Sequence, residues 1–261
     1  MSVLSSRDNP KVRHWRKLSE DTRYRRSERR ALIEGPHLLA AALQHGRKPA
    51  ALLATKGGAA DPEIAALIGR AGMQPALMTE SVLRSIVDAE SPQGVAAEIE
   101  IPSEAGDGAP AVFLEGVQDP ANVGAILRTA AAFGICRVVL DHACADPWSP
   151  KALRAGMGGH FALGIAEVRE LRDEIDAFKG TLVCTVVRGG VPLAKARLNG
   201  TLGWIFGGEG RGVSEALANR AGLRVTIPVA EGVESLNVAA AAAVCFYEAS
   251  RKSGSDPDFR Q

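Results

Sequence analysis

From Ala31 onward the chain alternates short apolar runs with stretches of helical periodicity, and this alternation constrains the fold more than any other feature. A strand over 31–34 (ALIE) leads to a helix that Pro36 opens and Gly46 closes, since proline at the first helical position and glycine past the last are the favoured ends. A strand over 51–55 and a helix over 61–70, stopped by Gly72, repeat the scheme. A strand over 75–78, a helix over 79–87 and a β run over 94–101 follow. After a Pro- and Gly-rich stretch at 102–110, strands over 112–115 and 137–140 flank a helix over 122–133, which makes a βαβ unit. Ser149-Pro150 starts another helix as N-cap and first residue. Further strands are predicted over 181–187, 203–206 and 224–227, and helices over 168–178, 214–221 and 236–251. The prediction is an α/β protein with a mostly parallel sheet, helices on both faces, and ligands bound beyond the carboxyl ends of the strands.

The 261 residues suit about two domains. The divisions read as a basic segment over 1–30, a small α/β domain over 31–101, a linker over 102–110, a larger domain over 111–252 and a disordered tail over 253–261. Cysteines at 136, 144, 184 and 245 form no CxxC pair, and no histidine stands at zinc spacing, so neither a disulfide framework nor a metal site is indicated. The chain reads as cytoplasmic. The longest apolar run, 238–247, falls short of the ~18 residues of a membrane span and fits a buried helix. The net charge of +1 conceals an asymmetry, because the first thirty residues carry ten Lys/Arg against four Asp/Glu. Those cations are interleaved with Trp15 and Tyr24, a composition suited to a polyanion with stackable bases.

Three loops follow predicted strands of the larger domain. The first runs Asp119-Pro120-Ala121-Asn122-Val123-Gly124, with Arg128 six residues beyond Asn122. Six residues is about 1.7 helical turns, so the two side chains converge only if Asn122 sits at the loop–helix junction. By spacing alone they read as an N-cap and a surface charge. The second, Gly207-Gly208-Glu209-Gly210-Arg211-Gly212, permits close backbone approach to a ligand. It is neither a GxGxxG nor a Walker A loop, which disfavours a dinucleotide or triphosphate site. The third runs from Ile227 through Glu231-Gly232 to Ser235-Leu236-Asn237, where Ser235 is placed to cap an alanine-rich helix. No histidine has a triad-like setting and no carboxylates are paired, so hydrolase chemistry has no support.

In order and spacing, the three loops together resemble the motifs of the SpoU/TrmH family of RNA ribose 2′-O-methyltransferases, in the SPOUT superfamily. The resemblance spans about 112–248. The earlier EGPHLLAAAL (34–43) and SPQGVAA (91–97) resemble the substrate-binding domain that precedes it in many members. It implies a SPOUT-type trefoil-knotted sheet, S-adenosylmethionine as cofactor, an RNA substrate with ribosomal RNA ahead of transfer RNA, and a homodimer. Arg128 matches the catalytic arginine that meets the substrate phosphate and helps deprotonate the 2′-hydroxyl. Asn122, Glu209, Ser235 and Asn237 match active-site positions, and Gly207, Ile227 and Leu236 match those whose backbone holds the cofactor. Two departures bear on fine contacts: Gly156 stands where many relatives have serine, and Gly232 falls one residue later than usual.

Overall fold

The computed structural model describes residues 3–102 and 110–253. The predicted linker and tail therefore lie, but for their first or last residues, outside the described residues. Backbone proximity divides the chain into two units, Met1–Ser103 with Asp146–Phe161, and Glu104–Ala145 with Ala162–Gln261.

The first unit has four strands: β1 (Arg30–Glu34), β2 (Ala51–Thr55), β3 (Ala76–Met78) and β4 (Val95–Glu100). They lie in the order β1-β4-β2-β3, with β4 antiparallel to both neighbours and β2 parallel to β3. The basic opening segment belongs to this unit's core. Its helix Pro10–Glu20 buries Val12, Trp15 and Leu18, spaced three apart, against Leu32, Leu53, Met78 and Ala96. Trp15, expected among the stacking groups, is therefore a core residue whose indole N–H donates to Glu98 at 2.9 Å. The helix expected over 79–87 is shorter, Glu80–Arg84, because Ser85 turns its hydroxyl back onto the Val82 carbonyl at 2.7 Å.

The second unit has seven strands: β5 (Ala111–Glu115), β6 (Arg137–Asp141), β7 (Gly164–Val168), β8 (Thr181–Thr185), β9 (Val191–Pro192), β10 (Leu202–Gly207) and β11 (Leu223–Thr226). The order is β7-β6-β5-β10-β8-β11-β9, and every neighbouring pair is parallel. Alternate residues of β5 serve opposite faces. Val112 and Leu114 pack with the helices Pro120–Ala132 and Val238–Ser253, whereas Ala111 and Phe113 pack with Arg172–Ala177 and Glu215–Ala218. Both faces are thus covered, as a parallel sheet requires. β7 occupies residues where no strand was expected, and the helix predicted over 168–178 contracts to Arg172–Ala177. As an edge strand of half-buried residues, Gly164–Val168 lacks the apolar run that marks the central strands.

The chain leaves β5 towards β6 and β7 on one side, and β10 lies on the other. Such a reversal opens a crevice at the strand ends. Glu115 and Gly207 are register partners there, so the loops after β5 and β10 emerge side by side.

Candidate active site

Two acidic residues that close apolar strands fix the loop after β5. Asp141, at the end of β6, accepts hydrogen bonds through Oδ1 from the backbone N–H groups of Gly116, Ala143 and Cys144 at 3.0–3.2 Å. Glu115 accepts one from Ser214 at 2.6 Å, and its carbonyl accepts one from Gly208 at 2.8 Å, so one residue grips both ends of the glycine loop. Sequence reasoning missed both. The signal was present in an acidic residue terminating each strand run, VFLE and RVVLD.

The helix after β5 begins earlier than expected. Asp119 is the N-cap, accepting from the Ala121 N–H at 3.0 Å, and Pro120 is the first helical residue. Asn122 accordingly lies in the first turn and is not the cap. No hydrogen bond joins its side chain to that of Arg128 among the described residues. Val123, Ile126, Leu127 and Ala130 are buried, and Arg128 points away from that stripe, exposed and without a hydrogen-bond or ion-pair partner among the described residues.

In the glycine loop, a Cβ on Gly207 would stand 1.9 Å from the Gly212 carbonyl carbon, and one on Gly208 2.1 Å from the Gly116 oxygen. Only glycine fits either position. The Gly212 N–H closes the loop on the Gly208 carbonyl at 2.9 Å, with Glu209, Gly210 and Arg211 at its tip.

The third loop delivers Asn237 to the start of the last helix. Asn237 Oδ1 accepts from the Ala239 and Ala240 N–H groups at 2.9 and 3.2 Å, so Asn237 caps the helix and Ser235 does not. A side-chain oxygen committed to the cap leaves the amide nitrogen facing outward. Asn237 Nδ2 donates to Glu209 Oε1 at 2.9 Å and to Asn122 Oδ1 at 3.0 Å, and Asn122 Nδ2 donates to Glu209 Oε1 at 2.8 Å. Three loops that are remote in sequence thus join in one ring of polar side chains. One carboxylate oxygen takes both amide donors, leaving Glu209 Oε2 available to a ligand.

Beside the ring lies a cavity of about 390 Å³, walled by the glycine loop, the ends of β8 and β11 and the third loop. Gly207, Ile227, Ser235 and Leu236 all line it, as does Glu209. Its volume is in the range of small-molecule sites. The cavity's size and its lining of loop backbone and apolar side chains, with Ile227, Leu236 and Val238 among them, fit a nucleoside cofactor.

Comparison with known proteins decides the family. The family model described as SpoU rRNA Methylase matches residues 109–247, and that of an MRM3-like substrate binding domain matches 9–97. This chain belongs to the SpoU rRNA methylase family. It is 32% identical, over 95% of its length and 98% of the relative's, to the 23S rRNA (guanosine(2553)-2′-O)-methyltransferase RlmP of Bacillus subtilis. It is similar in structure to the AdoMet-bound rRNA methyltransferase of Sinorhizobium meliloti, with a TM-score of 0.84 and 30% identity over 96% of this chain and 97% of that one. A putative RNA methyltransferase of the TrmH family from Porphyromonas gingivalis gives a TM-score of 0.81 at 30% identity, covering 97% of this chain and 100% of that one.

Proposed function

We propose that this SpoU-family chain transfers a methyl group from S-adenosylmethionine to a ribose 2′-hydroxyl of ribosomal RNA. The ring of Asn122, Glu209 and Asn237 beside the cavity carries this reading, because it joins the three motif loops where a cofactor and a second substrate can meet. The cofactor supplies an electrophilic methyl group on a sulfonium. Gly207, Ile227 and Leu236 hold it through their backbone, and Ser235 lines the same wall. A ribose hydroxyl is a poor nucleophile at neutral pH, so its proton must leave as it attacks the methyl. Arg128, a guanidinium that stays protonated, assists by holding the neighbouring phosphate and stabilising the developing alkoxide while the proton passes to water, and with no hydrogen-bond or ion-pair partner among the described residues it keeps all its donors for the RNA. Asn122, Glu209 and Asn237 keep the reacting groups in place.

RNA is drawn in by the cations of the first unit. Lys11, Arg13, Lys17, Arg23 and Arg29 are exposed on or beside its two opening helices, Pro10–Glu20 and Thr22–Glu28. The family's trefoil knot and homodimer come with the same reading. In support of the dimer, Val244 and Tyr247 are exposed on the helix Val238–Ser253, with Phe133 edge-on to Tyr247. The place of action is the cytoplasm. No helix among the described residues is long and apolar enough to cross a membrane, and the four cysteines are unpaired. Burial holds Cys144 and Cys245 at about 12 and Cys184 at about 11, as unreactive thiols.

The test is mass-spectrometric mapping of 2′-O-methyl sites in RNA from cells with and without the gene, alongside calorimetry with S-adenosylhomocysteine. One ribosomal methyl should vanish with the gene. Loss of a transfer-RNA methyl in its place would change the substrate. An unaltered map together with no heat of binding would remove the catalytic reading.

A further inference from the structure

The charged side chains lining the cavity are Glu209, Arg211 and Glu234. Glu209 is engaged by two amides, whereas Arg211 and Glu234 have no hydrogen bond or ion pair among the described residues, even with each other. An acid and a base lining one cavity, unpaired among the described residues, match a ligand that carries both signs.

The backbone beneath each charge is shaped by glycine. Gly210 and Gly212, at φ +89° and +64°, flank Arg211, and the tight packing of Gly207 and Gly208 anchors the base of the loop. Glu234 follows a turn in which the Val233 N–H reaches the Ala230 carbonyl at 3.2 Å and Gly232 has a φ of +86°. Each charge therefore stands on a turn at the cavity and belongs to neither the sheet nor a helix.

We propose that Arg211 and Glu234 clasp the zwitterionic amino-acid end of the cofactor, with the guanidinium on its carboxylate and the carboxylate on its ammonium. This rests on the cofactor reading above. Charge favours it over a phosphate contact. The cavity's three charged groups sum to −1, which opposes a polyanion, while S-adenosylmethionine carries a sulfonium, an ammonium and a carboxylate, a net +1. Planar, bidentate recognition also suits arginine to a carboxylate.

Two nucleosides test the assignment by calorimetry on the full-length protein. S-Adenosylhomocysteine has the amino-acid end, and 5′-methylthioadenosine has the same adenosine and sulfur without it. Arg211→Gln and Glu234→Gln should each weaken S-adenosylhomocysteine roughly fivefold, as expected of partly exposed charge contacts, and leave methylthioadenosine within about twofold. Retained methylthioadenosine binding shows that the variants are folded. Equal weakening of both ligands, or of neither, overturns the clasp. So does a variant with normal S-adenosylhomocysteine affinity and weaker RNA binding, which gives Arg211 to a phosphate. If the wild-type protein binds neither nucleoside, the cofactor reading itself falls.

Discussion

The two units organise their polar side chains in opposite ways. In the first, Arg25 and Asp146 are almost wholly buried, 2% and 8% exposed, and paired at 2.7 Å. Arg25 also donates to the Leu18 and Ser19 carbonyls and to the Thr22 hydroxyl, while the other Asp146 oxygen accepts from the Trp148 N–H. That pair ties the opening helices to the 146–161 segment inside one core, and its bonding capacity is largely used up. In the second unit, Asn122, Glu209 and Asn237 form a ring at the molecular surface, and Arg128, near Asn122 in sequence, has no hydrogen bond or ion pair among the described residues. A polar group buried and saturated maintains architecture; one exposed and partly unsatisfied is available to a ligand. The contrast can be broken by showing that surface groups hold the fold or that buried ones do the chemistry.

The largest effect should come from a group that has no hydrogen bond or ion pair among the described residues. Arg128→Ala is expected to lower methyl transfer by about 10²–10⁴-fold, measured with tritiated cofactor and the mapped RNA. Its melting temperature should stay near that of the wild type, since an exposed side chain without partners contributes within about 0.5 kcal/mol. Near-normal turnover would move the activation of the ribose hydroxyl to another residue.

The ring's members were legible in the sequence only through the resemblance of the three loops together to the SpoU/TrmH motifs, since none of the loops marks them when taken alone. Their hydrogen bonds were not. Spacing alone made Asn122 a cap, and only the order Asp119-Pro120 at the helix start shows why it moves into the first turn. Ser235 was expected to cap the last helix, but the helix starts at Val238 and Asn237 caps it instead. The basic segment misled further. Trp15 and Arg25 look like nucleic-acid contacts when charge is counted, but the spacing of Val12, Trp15 and Leu18 already marked a buried stripe. No local pattern could reveal that Arg25 meets Asp146, 121 residues away.

Arg25→Ala should sharpen the comparison from the other side. It leaves the Asp146 carboxylate buried without its cation and two helix-end carbonyls without a donor, a loss of about 3–5 kcal/mol of stability. Chemical denaturation measures it. Arg25→Met combined with Asp146→Asn should recover part of the loss, because the asparagine oxygen still accepts from Trp148 and no unpaired charge remains. At a temperature where the single variant is folded, its affinity for S-adenosylhomocysteine should be unchanged. A weakened cofactor site would show that the buried pair serves chemistry as well.

His160 extends the same contrast to pH. It is completely buried beside Trp148, and Nε2 lies 2.7 Å from the Pro147 carbonyl, which can only accept. The proton therefore sits on Nε2, and Nδ1 has no hydrogen-bond partner among the described residues. Burial lowers the imidazole from 6.5 to about 4, against weaker opposing effects of the Pro147 bond and Asp146. Between those values the unfolded chain binds the proton and the folded one does not, so stability is complete above about pH 6.5 and falls as pH drops towards 4. The loss amounts to at most about 3 kcal/mol. His160→Gln should flatten this dependence whatever its effect at neutral pH. An unchanged slope would assign acid sensitivity to other groups.

The smallest effect concerns the exposed cations of the opening helices. Because Val12, Trp15, Leu18 and Arg25 are core residues, deleting residues 1–30 would unfold the first unit and say nothing about RNA. Substitution separates charge from packing. Arg13, Lys17 and Arg23 are all exposed, with Lys17 lying 5.3 Å above the Tyr24 ring. Changing the three to glutamine should cost well under 1 kcal/mol of stability in total, since surface contacts of this kind contribute little. RNA affinity should respond differently. Each phosphate neutralised on a single strand contributes about −0.7 to the slope of log affinity against log salt, so the triple variant's slope should be shallower by about two. Cofactor affinity should not move. An unchanged slope would mean that the exposed cations of this unit face solvent alone, and the RNA would have to be held by Arg128 and its surroundings in the second unit.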